Sequence, residues 1–393
     1  MRDLSFRSNI WKMQLMSLLR HLHFFGGILI PFFTDWAHLN YAQILLLQSW
    51  FMFWVFALEM PTGAVADYFG RKASMTLAAV VSIASALVYI SSPNFYVLML
   101  GEFLFAMSAA LLSGADQALI YDSLKQSGET KISKSVWGRY RSIGLLGIVI
   151  SSPIGSWLGT FDLRLPMLAW TVPSLLAAIV ALALKEPYSA KKVESTRYLN
   201  VLKEGLKFFT GHRELKILAI DMAFVGMIAY FILWFFQTML KNAGVPLLYY
   251  GWVHAAFVVV EVLVLNNFAR LEKLFGSRRN FLIFTTVAPG VMFVVSGLTT
   301  YLPVVILSIF VIGGFGLTRA TLLQHYMNKY IPTARRATVL SATAMLTTFA
   351  IAAVNPFVGM AADWNFNATL IFLGLAAIAW GLMTETQEHM LQD

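Results

Sequence analysis

Residues 59–72 read Glu59-Met60-Pro61-Thr62-Gly63-Ala64-Val65-Ala66-Asp67-Tyr68-Phe69-Gly70-Arg71-Lys72, and this stretch stands between two long apolar runs. Charge, glycine and proline crowd a segment whose flanks carry almost none. Gly70 suits a tight turn, because a residue without Cβ reaches backbone angles closed to the others. Two apolar runs long enough to cross a bilayer, joined by so short a charged turn, read as consecutive membrane-spanning helices.

The composition agrees. Hydrophobic residues make up 58% of the chain and charged residues 12%, against roughly 25% charged in soluble domains. Lipid is therefore the expected solvent, and the 393 residues have room for about twelve spans of about 20 residues each. The chain has no cysteine, which excludes disulfides and thiolate metal sites. Arg2, Arg7 and Lys12 precede the first apolar stretch, and no small-residue cleavage site follows, so this start reads as a retained tail.

Apolar segments run over 13–34, 41–66, 73–91, 95–124, 138–160, 165–185, 215–240, 246–269, 280–299, 302–330, 337–361 and 367–384. With the N-terminus inside, Arg71 and Lys72, Lys125 to Arg141, Lys185 to Lys216, Arg270 to Arg279 and Lys329 to Arg336 are all cytoplasmic, and only Arg164 and Lys241 fall outside. That asymmetry satisfies the positive-inside rule. The net charge of +9 is thus a topology signal. Spread over separate loops, it does not form the single basic face that nucleic acid would need.

The stretch G-x-x-x-D-x-x-G-R-K, met here by Gly63, Asp67, Gly70, Arg71 and Lys72, resembles motif A of the major facilitator superfamily. The resemblance implies an all-α membrane protein with twelve transmembrane helices in two pseudo-symmetric six-helix bundles, working as a secondary transporter. Residues 1–187 would form the first bundle, 188–214 a cytoplasmic linker and 215–393 the second bundle. In the linker, Tyr198 to Phe209 has the spacing either of an interfacial amphipathic helix or of a solvated connector. A degenerate repeat, Phe69-Gly70-Arg71-Lys72 against Phe275-Gly276-Ser277-Arg278, supports the two halves and places Lys273 opposite Asp67 and Ala269 opposite Gly63. In the family the motif's Asp sits at the N-terminus of helix 11, here near Ala337-Thr338, and pairs with the motif's Arg. By position, Asp122 is a second partner for Arg71. The set is expected to hold the cytoplasmic side closed, with Gly63 permitting close helix approach.

Charges inside the spans are costly unless they face a partner or water. Arg20, Glu59, Glu102, Asp116, Asp221, Glu261 and Arg319 are such charges, with His21, His23, His254 and His325 beside them. On an uninterrupted fourth helix, Glu102, Ala106, Ala109, Ser113 and Asp116 share one face, with the two carboxyls roughly 21 Å apart along the axis. Asp116, Glu59, Glu102, Asp221 and Glu261 are the candidates for proton coupling, Asp116 foremost. Arg20, His23, Phe24, His254 and Arg319 are the candidates for the substrate cavity, placed at the interface of the halves near the midplane. For each acid a structural ion pair is the alternative, with Arg20 and Arg319 as counter-charges for Asp116, Glu261 or Asp221, and for each histidine a packing role. Glu102 stands where many exporters of the superfamily carry an Arg.

Gly147, Ser151, Ser152, Pro153 and Gly155 in the fifth segment look like a degenerate antiporter motif, G-x-x-x-G-P-x-x-G, and tip the reading toward export. The expectation is proton-coupled export of a small amphipathic organic compound such as a drug or a siderophore-like metabolite. A proton-coupled uptake symporter is the alternative, followed by a membrane-embedded enzyme and a non-transporting receptor. No phosphate loop or nucleophile elbow is present, so no enzyme activity and no cofactor are expected, an ion gradient being the driver. The expected partners are substrate, protons and lipid. The expected setting is a bacterial cytoplasmic (inner) membrane with both termini cytoplasmic, and the expected state a monomer.

Overall fold

The computed structural model describes residues 4–187, 211–332 and 336–391. The expected linker helix at Tyr198 to Phe209 lies outside the described residues. Within them the chain is all-α, and no strand occurs. The spans are α1 (Leu4–Gly27 and Leu29–Trp36, bent by 63°), α2 (Tyr41–Phe69), α3 (Arg71–Ser91), α4 (Phe95–Ser127), α5 (Thr130–Gly159), α6 (Leu165–Leu182), α7 (Arg213–Asn242), α8 (Leu247–Asn266), α9 (Arg278–Leu298), α10 (Leu302–Met327), α11 (Thr338–Trp364) and α12 (Phe366–Met383). Eleven are single helices long and apolar enough to cross a membrane, and the bent pair makes twelve.

The chain divides into two compact units. Unit 1 comprises Met1–Leu39, Leu47–Ser195 and Leu247–Ala255, and unit 2 comprises Asn40–Leu46, Thr196–Pro246 and Ala256–Asp393. The start of α2 therefore belongs to unit 2, and the start of α8 to unit 1. In unit 1 the core forms where Met13 and Met16 of α1, Met75 and Ala78 of α3, Leu119 of α4 and Ala177 of α6 meet. The core of unit 2 joins Leu215 and Leu218 of α7, Phe281 and Leu282 of α9 and Leu322 and Leu323 of α10.

Small residues on α5 have a packing cause. A Cβ on Gly155 would stand 1.5 Å from the carbonyl oxygen of Phe24, and one on Gly147 2.9 Å from that of Leu18. In lipid, where apolar burial gives little net drive, such close backbone approach is what holds helices together. The degenerate motif on α5 is thus the seam along which α1 lies. On the far side of that seam, a Cβ on Gly27 would meet the Cα of Gly251 at 2.7 Å.

Two sequence-based expectations change here. The helical ladder of α4 is interrupted at Ser113 and Gly114, with Gly114 left-handed at φ 74°, so Glu102 and Asp116 do not share the face of one continuous helix. The repeat is also one residue longer than the motif match. Helices Arg71–Ser91 and Arg278–Leu298 are both 21 residues long, and the left-handed Gly276 stands one residue further from its helix start than the left-handed Gly70 does from its own.

Candidate functional site

At the α2–α3 turn Gly70 takes φ 93°, a conformation that favours glycine. Arg71 forms an ion pair with Asp122. The backbone N–H groups of Arg71 and Lys72 donate to the two carboxylate oxygens of Glu186, at 2.9 and 2.7 Å. This fork satisfies two of the free N–H groups of a helix start and sets negative charge at the positive end of its dipole. The α9 start repeats the device, with Arg278 and Arg279 N–H donating to Glu388 at 3.2 and 2.8 Å. Asp67 is exposed; Arg71 turns away from it to Asp122, contrary to the expected pair. Gly63 has open space where a Cβ would stand, so it does not serve close helix approach.

Unit 1 holds two polar chains inside its spans. In the first, Arg20 Nη1 donates to the Tyr140 hydroxyl at 3.4 Å, and that hydroxyl donates to Asp116 Oδ2 at 2.9 Å. The Gln117 N–H donates to Asp116 Oδ1 at 2.6 Å. In the second, Glu102 is 3% exposed and accepts from Gln48 Nε2 at 2.9 Å and from the Tyr89 hydroxyl. His254 Nδ1 meets the Ser152 hydroxyl at 2.8 Å, and the His21 and His23 rings lie 6.1 Å apart. Phe24 is half-buried in the 3-10 turn after them, with its carbonyl against Gly155. Glu59 is half-buried on α2, one turn before Gly63.

In unit 2 Asp221 and Arg319 form an ion pair with both side chains 2% exposed. Trp380 Nε1 donates to the free oxygen of Asp221 at 2.9 Å, and Arg319 Nη1 donates to Thr285 Oγ1 at 2.7 Å and to the Leu282 carbonyl at 2.5 Å. A pair so enclosed is a packing element first. Glu261 is half-buried, and among the described residues it has no hydrogen-bond or ion-pair partner.

The expected cavity set is therefore distributed. Arg20, His23, Phe24, Asp116 and His254 belong to unit 1, and Asp221, Glu261 and Arg319 to unit 2. The partners Gln48, Tyr89, Tyr140, Trp380 and Glu186 are missing from the sequence reading. Only Glu186 left a signal there, since it follows the sixth apolar segment much as Glu388 follows the twelfth.

A family model described as Major Facilitator Superfamily matches residues 22–354. The chain belongs to the major facilitator superfamily. It is a transporter, not an enzyme. Among solved structures it resembles the nucleoside transporter NupG at a TM-score of 0.78 and 14% identity, covering 96% of this chain and 99% of that one. A bacterial homolog of the human lysosomal transporter Spinster, inward-facing and occupied, matches at 0.76 and 14%, with both chains covered 100%. A POT family transporter in complex with a thioalcohol-conjugated peptide matches at 0.72 and 17%, covering 96% and 95%. At such identities the likeness shows the fold alone. No curated protein matches the sequence.

Proposed function

We propose that this superfamily member is a secondary active transporter that exports a small amphipathic organic compound by alternating access. Protons enter in exchange, across a bacterial cytoplasmic membrane with both chain ends on the cytoplasmic side. The observation that carries the coupling is Glu102. Its carboxyl is buried in a membrane helix with only uncharged partners, Gln48 and Tyr89. An amide and a hydroxyl can serve either protonation state, because each can donate to a carboxylate or accept from an acid. A carboxyl without a counter-cation is free to lose and regain its proton as its access to water changes, whereas Asp221 is tied to Arg319. Asp116, foremost from sequence, is engaged by Tyr140 and by a backbone N–H, and acts as the secondary acid. The α2–α3 turn, braced by Arg71 and Asp122, supports the gate on the cytoplasmic side.

The test is a substrate-evoked pH change in proteoliposomes over a compound panel. Proton movement opposite to substrate supports export. Movement in the same direction identifies an uptake symporter. No pH change with any transported compound removes protons from the scheme.

A further inference from the structure

Helices α1, α3, α4 and α6 line a partly open chamber of about 150 Å³ in unit 1. Arg20, His21 and His23 line it from α1, Phe105 from α4, and Trp170 and Ser174 from α6. Two polar atoms at its wall are buried without a hydrogen-bond partner among the described residues: His23 Nδ1 and Trp170 Nε1. Trp170 is 4% exposed, so its indole N–H is shut off from bulk solvent. Its ring is held by edge contacts to Phe25 and Phe105, at 5.2 and 5.5 Å, and cannot swing away cheaply. Arg20 has one hydrogen-bond partner among the described residues, the Tyr140 hydroxyl at 3.4 Å, and no ion pair. A guanidinium carries five N–H donors, so most of its capacity is open.

A cation within a membrane bundle, two residues whose ring nitrogens have no partner among the described residues, and an aromatic wall all line one volume. Each costs free energy when left unanswered, and one ligand answers them together. We infer that the chamber binds a small organic carboxylate. The Arg20 guanidinium neutralises its charge, Trp170 Nε1 and His23 Nδ1 donate to its oxygens, and its apolar part lies against Phe105. A chamber of this size suits a benzene-sized guest. The inference rests on the proposed transport only for its biological use, since binding is a property of unit 1 that is measured without transport.

The experiment is calorimetric titration of the purified full chain in detergent with benzoate and butyrate, against the neutral benzamide and butyramide and against inorganic phosphate. Saturable binding of the carboxylates and none of the amides is expected. Arg20→Gln should weaken it by about tenfold or more, the scale of one charge-assisted contact. Trp170→Phe, which keeps the ring and removes the N–H, should weaken it severalfold. Arg164→Gln, on an exposed turn, should leave it unchanged. Equal affinity for benzoate and benzamide, stronger binding of phosphate, or no binding of any carboxylate overturns the inference. If Arg20→Gln does not fold, an unaltered affinity in Trp170→Phe overturns it alone. Carboxylate binding lost while transport of other compounds persists would separate this failure from that of the transport reading.

Discussion

The Glu186 carboxylate receives the backbone N–H of Arg71 at 2.9 Å and takes that of Lys72 on its other oxygen. Together with the Arg71–Asp122 pair, this ties the end of α6 and the body of α4 to the start of α3. The fork brings a negative charge to the helix end where the dipole welcomes it, worth about 1 kcal/mol. Glu186→Ala should therefore lower stability by about that amount and speed hydrogen exchange at residues 71–74. Glu388→Ala should do the same at the start of α9. Asp67→Asn, removing an exposed charge, should change neither. Hydrogen exchange read by mass spectrometry checks all three.

A second expectation concerns the enclosed pair in unit 2. Removing one member strands a buried charge, at about 3–5 kcal/mol. Asp221→Asn and Arg319→Met should each destabilise on that scale, with Trp380 and Thr285 losing partners as well. The double variant, with no stranded charge, should lie closer to wild type than the sum of the singles. Thermal unfolding of the four proteins gives the coupling. Additive effects would show that the pair is not one unit.

Proton coupling separates the acids of α4. Glu102→Gln keeps the shape and can still bond Gln48 and Tyr89, but cannot titrate. Proton-driven transport should be abolished in proteoliposomes while substrate exchange without a gradient continues. Asp116→Asn should act more weakly and by another route, since the amide disturbs the chain through Tyr140 to Arg20. The reverse ranking would move the coupling site to Asp116.

How much the sequence disclosed depends on the range of the interaction concerned. Motif A, the loop charges and the apolar periods are local patterns, and they led to twelve spans whose limits the structure moves by a few residues at most ends. The exceptions are the fifth span, which starts at Thr130, and the first, whose bend adjoins the close approach of Gly27 to Gly251, residues far apart in the chain. The burial of Glu102, Asp221 and Arg319 was legible because charge in an apolar run must be enclosed. Arg319 as a counter-charge for Asp221 was legible on the same ground, whereas Gln48, Tyr89 and Trp380 were not, because they come from other helices and carry no pattern of their own. The shared face of Glu102 and Asp116 failed for a local reason, the left-handed Gly114 that resets the helical phase.

The seam between α1 and α5 supports a last prediction, in which glycines of the same chain separate by environment. A Cβ on Gly155 would lie 1.5 Å from the Phe24 carbonyl oxygen, which is backbone and cannot rotate aside, whereas at Gly63 and Gly138 nothing lies within 4 Å. Overpacking typically costs about 1–3 kcal/mol and more where the neighbour cannot yield. Gly155→Ala should therefore fall at or above the top of that range, seen as loss of monodisperse protein or a large fall in melting temperature. Gly138→Ala, in a helix interior, should be neutral or slightly stabilising, because alanine forms helix better than glycine by about 1 kcal/mol. Gly63→Ala should be equally well folded, although Gly63 belongs to the signature motif. If Gly63→Ala transports poorly while its melting temperature is unchanged, the motif glycine serves a state other than the one described here. If Gly155→Ala is as stable as wild type, α1 and α5 do not touch as closely as the seam requires.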